Sequence, residues 1–122
     1  MHENINQVIK GCINKEHKCQ KAIYERFRGY ALKIVFRYIY RYEKAVDVVN
    51  DGFVKLFNNF EKFIAGPEDD NEKILMGWLK RIMINVAIDH LRRGNMLPEI
   101  GDLPEYLWEQ QDTNQSAEQR LF

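Results

Sequence analysis

No proline interrupts the first 66 residues of the chain, and through most of that length the apolar residues recur at steps of three and four. That spacing stacks side chains on one flank of a helix, whereas a strand needs alternate residues. No period-two segment of useful length competes with it, and there is no internal repeat or glycine-rich phosphate loop. The pattern predicts an all-α fold: a compact bundle of three main helices preceded by a short N-terminal one.

Ile5, Val8, Ile9 and Cys12 define the short opening helix, which should end in Asn14-Lys15-Glu16. In the second segment Ile23, Phe27, Tyr30, Ala31, Ile34, Val35 and Tyr38 form the apolar stripe, opposite Lys21, Arg28, Arg37 and Arg41. A short turn near Arg41-Tyr42 leads to a third helix over residues 43–63, apolar at Val46, Val49, Phe53, Leu56, Phe57 and Phe60. So short a connection makes the two helices antiparallel neighbours. Ala65-Gly66-Pro67 breaks the third helix, and the acidic run at residues 68–72 supplies caps and negative charge to the next N-terminus. The fourth helix should span residues 72–93, with Leu75, Leu79, Ile82 and Val86 inward, Arg92 and Arg93 in its last turn and Gly94 as its cap.

With 122 residues, 45% of them hydrophobic, the chain can build one core but not two. Nothing approaches the roughly 18 to 20 apolar residues of a membrane span. The start Met1-His2-Glu3-Asn4 lacks the basic region and apolar run of a secretory signal, which predicts a cytoplasmic, reducing setting. Cys12 and Cys19 flank His17, but no second Cys/His pair downstream completes a zinc tetrahedron, so packed thiols are expected instead of a metal site. No nucleophile, acid–base pair or metal cluster stands at a catalytic spacing, and His2 and His90 have no motif partners; the chain reads as a non-enzyme without cofactor.

Charge is divided along the chain. Residues 1–93 hold 17 of the 18 Lys+Arg and 12 of the 18 Asp+Glu, making them net +5 against a tail of net −5. A basic body with an acidic tail is a hint of nucleic-acid binding or of charge-regulated association, though a solvated surface has the same arithmetic. In the fourth helix Lys80, Arg81, Ile84, Asn85, Ile88 and Arg92 fall away from the apolar stripe. Such a face suits a nucleic acid, cations meeting phosphates and the carboxamide a base edge. An ordinary solvated helix face would look the same.

The run from Gly77-Trp78-Leu79-Lys80-Arg81-Ile82 through Asn85 and Asp89 to Arg92-Arg93 resembles the promoter-recognition helix of bacterial sigma factors of the extracytoplasmic-function group. Asp47-Val48-Val49-Asn50-Asp51-Gly52-Phe53-Val54-Lys55-Leu56-Phe57 is similar to that family's polymerase-binding helix, and Ile9-Lys10-Gly11-Cys12 with Ile23-Tyr24-Glu25-Arg26-Phe27 to its opening. The resemblance covers residues 5–94 and implies region 2 of such a factor. It implies that Asp47, Asn50 and Asp51 contact core RNA polymerase at the clamp coiled coil of its largest subunit. By the same resemblance Lys80, Arg81, Asn85 and Arg92 meet the non-template strand of the minus-ten promoter element, and the loop at residues 64–73 holds an extruded base. Residues 95–122 resemble the start of a linker toward the family's second domain, a helix-turn-helix for the minus-thirty-five element.

Trp78 can be a stacking platform, but at the edge of the stripe it reads as core, and Asp89 reads as an ion-pair partner of Arg92 or Arg93. A second reading stays open: a helical interaction module that keeps polymerase or anti-sigma contacts without productive DNA binding.

Overall fold

Asn4 starts the first helix: its side-chain oxygen accepts a 2.7 Å hydrogen bond from the Asn6 amide, satisfying one of the amides that a helix start leaves without a partner. The computed structural model describes residues 4–93, so the expected Gly94 cap, His2 and the acidic tail lie outside the described residues. These fold into four helices with no strand among them: α1 (Ile5–Ile13), α2 (His17–Val35), α3 (Tyr42–Asn58) and α4 (Asn71–Arg93). None is long and apolar enough to cross a membrane.

α1 stops where its sequence predicts. Lys15 takes the left-handed conformation, φ 60°, while the Glu16 amide reaches back to the Gly11 carbonyl and the Lys15 amide to that of Cys12. This is the double closure usually built on glycine. It turns the chain sharply enough for α2 to pack against α1, burying Val8, Ile9 and Cys12 on one side and Cys19 and Ile23 on the other. Burial, with Cys19 and Glu16 nearby, pushes the Cys12 thiol up to about 12. It stays protonated and behaves as a small apolar side chain. His17 is exposed at the start of α2.

The α2 stripe is inward as expected at Ile23, Phe27, Ala31, Ile34 and Val35, but the helix ends at Val35. Tyr38 reaches the core from the turn that follows, together with Ile39. α3 ends at Asn58, short of the predicted residue 63, because Asn59 bonds its side-chain amide to the Lys55 carbonyl at 2.9 Å and leaves helical geometry. A 3-10 turn, Phe60–Lys62, keeps Phe60 fully buried. The inward face of α3 is also rotated slightly from the expected one: Val48 is buried, and Val46 is only half-buried.

α4 packs against α3, α2 and α1. Leu75, Leu79, Ile82 and Val86 are buried as predicted, and Met83, Ala87 and Leu91 join them. Ile84 and Ile88, expected outward, retain only 3% and 4% of their surface. A helix apolar over most of its circumference belongs at the centre of a bundle, and each isoleucine removed from water there contributes about 1.5–3 kcal/mol. Where α3 crosses α4, Gly52 lies directly on Met83, leaving no room for even a methyl group without displacing that side chain. Asp89 pairs with Arg93 at 3.6 Å, the helix-surface contact expected of it.

Candidate functional site

The loop leading into α4 is fixed by a buried carboxamide. Asn71 is the one buried polar side chain among the described residues. Its oxygen accepts from the Gly66 amide at 2.7 Å, and its nitrogen donates to the Asn6 oxygen at 2.6 Å. Asn6 in turn donates to the Glu68 carbonyl at 3.4 Å. α1 and the loop are thereby stapled across 65 residues of sequence. Arg26 of α2 adds a two-oxygen contact to Glu72 at 3.0 Å, partly exposed and so modest in energy. Asn71→Ala would leave the Gly66 amide and one Asn6 oxygen without partners. It should lower the unfolding free energy by about 2 kcal/mol, measured by urea denaturation.

Between this loop and α1 opens a cleft of about 480 Å³, with Ile9 and Phe63 as apolar lining and Gln7, Lys10 and Asn71 as polar groups. Pro67 leads into a 3-10 turn, Glu68–Asp70, whose three carboxylates are all exposed. They stand at the positive end of the α4 dipole, where negative charge is favoured. Trp78 is half-buried, edge-on to Phe60 at 5.5 Å and tilted against Phe63 at 5.8 Å. It packs as the back wall of the loop, the core reading given by its place beside the stripe.

Of the α4 residues singled out for nucleic acid, Lys80, Arg81 and Arg92 are exposed and Asn85 is half-buried. With Ile84 and Ile88 withdrawn into the bundle, the polar face is a narrow strip. It offers cations at both ends and one carboxamide between, flanked by packed apolar residues.

On α3, Asp47, Asn50 and Asp51 are exposed together on one flank, with Val54 one turn further and 56% exposed. Two of the three are tied to neighbouring helices. The Asn50 oxygen accepts from the Tyr24 hydroxyl at 3.3 Å, and that hydroxyl accepts from Arg28 Nε at 3.1 Å. Asp51 Oδ2 lies 2.9 Å from His90 Nε2. The His90 partnership was invisible in sequence because 39 residues separate the pair. Both contacts hold the polar face of α3 in a defined geometry without burying it.

The described residues form an all-helical bundle with a narrow polar strip on α4 and an exposed polar flank on α3. The family model for Sigma-70 region 2 matches residues 23–96, more than half of the chain. The chain belongs to that family. No curated protein and no solved structure matches it.

Proposed function

We propose that this chain is the promoter-recognition domain of a sigma factor of the extracytoplasmic-function group. In this reading α3 docks on core RNA polymerase, and α4 with its preceding loop binds the non-template strand of the minus-ten element and holds it open. The observation that supports it is the exposure of Lys80, Arg81 and Arg92 along one helix with half-buried Asn85 between them, in a chain of the Sigma-70 region 2 family. Lys80, Arg81 and Arg92 neutralise phosphates, and Asn85 offers a donor and an acceptor to a base edge. The cleft between α1 and the loop has the apolar lining and carboxamide rim that an extruded base needs.

The energetics are consistent with opening that needs no nucleotide hydrolysis. Unstacking a base step costs on the order of a few kcal/mol, and re-stacking or pairing the base with protein returns about 1–3 kcal/mol. Binding energy that exists only for the open strand then shifts the duplex toward melting. The exposed carboxylates at residues 68–70 repel phosphates, which disfavours backbone contact at the loop and leaves it to bases.

The test is fluorescence anisotropy with single strands selected from a randomised pool. Asn85→Ala should weaken binding about tenfold and relax the preference at one base position. Arg81→Ala should weaken all sequences alike and reduce the logarithmic salt slope by about 0.7. Helical circular dichroism should be unchanged in both. Unchanged affinity in both variants would leave the chain a protein-docking module that contacts polymerase or an anti-sigma factor.

A further inference from the structure

The turn between α2 and α3 carries aromatic and cationic residues in close alternation: Phe36-Arg37-Tyr38-Ile39-Tyr40-Arg41-Tyr42. Its rings are not equivalent. Tyr38 is in the core, and Tyr42 stacks back on Phe36 with centroids 6.1 Å apart. Tyr40 is 66% exposed and makes no hydrogen bond or ring contact among the described residues. Beside it opens a cavity of about 140 Å³ lined by Ile39 and Leu91, with Arg41, Lys44 and His90 around it. Arg37, Arg41 and Lys44 are all exposed and form no ion pair among the described residues; Glu43 is the one carboxylate between Arg37 and Lys44. Leu91 and His90 bring the C-terminal part of α4 to this cavity.

A free aromatic ring beside an apolar slot, with unpaired cations within a turn of helix, is the composition that binds unpaired nucleotides without regard to sequence. The ring stacks on a base, and the cations follow the backbone. We propose that the α2–α3 turn is a second nucleic-acid contact that takes an unpaired nucleotide on Tyr40 and its flanking phosphates on Arg41 and Lys44. Nucleic acid is favoured over an acidic peptide by the exposed ring, which a carboxylate does not need. The site shares no residue with the loop or with Lys80, Arg81 and Asn85, and stands or falls separately from them.

The probe is a fluorescein-labelled oligothymidylate, which carries no promoter sequence, titrated by anisotropy into the full chain at low salt. Tyr40→Ala should weaken binding about tenfold, while Tyr40→Trp retains or strengthens it. The double variant Arg41→Gln, Lys44→Gln should reduce the logarithmic salt slope by about 1.4, two phosphates' worth for a single strand. Affinity and slope unchanged in these variants would overturn the proposal. Tighter binding by Tyr40→Ala would also overturn it, showing that an acidic segment of the same chain already occupies the turn. Loss of retention on core polymerase with oligothymidylate binding intact would reassign the turn to a protein partner. Because Tyr40 is exposed, a folding defect would not imitate the expected loss; and if Arg81→Ala and Asn85→Ala alone lose their effect, it is the α4 reading that fails.

Discussion

Phe60→Ala should lower the unfolding free energy by about 3–5 kcal/mol, the largest loss expected of any single truncation in this chain. Phe60 is fully buried and touches Phe57, Phe63 and Trp78, so it joins the end of α3 to the first turns of α4. Removing the ring leaves a cavity at that junction, because the surrounding backbone is tied by Asn59 and Asn71 and cannot collapse into it. Urea denaturation measures the stability loss. Oligonucleotide anisotropy at low denaturant should show a second effect, weaker binding of the selected strand, since Trp78 and Phe63 lose the support that holds the loop wall.

Asp51→Arg should reduce retention on the isolated clamp coiled coil at least tenfold while leaving oligonucleotide affinity unchanged. Asp47 and Asp51 are exposed on the flank of α3, between Lys44 and Lys55, so the proposed docking rests on these two carboxylates meeting cations of the partner. A reversed charge at the centre of a complementary interface replaces attraction by repulsion and costs several kcal/mol. The same change also breaks the 2.9 Å contact with His90, and His90→Ala separates the two effects. That variant frees the carboxylate without reversing it, and should retain most binding. Equal retention of wild type and Asp51→Arg in a pull-down would remove α3 from the docking role.

The helices were legible because their apolar spacing is a local property. Val8, Ile9 and Cys12 in α1, or Leu75, Leu79, Ile82 and Val86 in α4, needed no knowledge of what they pack against. The end of α3 was not legible, since the apolar pattern runs on to Phe60 while one side-chain bond from Asn59 stops the helix. Ile84 and Ile88 fall outside the stripe of Leu75, Leu79, Ile82 and Val86, and sequence does not state how many neighbours a helix has. For the site, the residue types were readable from the motif, but their tethering was not. Asn71 with Asn6, Tyr24 with Asn50, and Asp51 with His90 are contacts between distant parts of the chain.

Gly52 sits one residue past Asp51, and its bare Cα rests on Met83, two residues before Asn85. The Met83 thioether takes the space that a side chain at position 52 would need, so any larger residue there must first push that thioether aside.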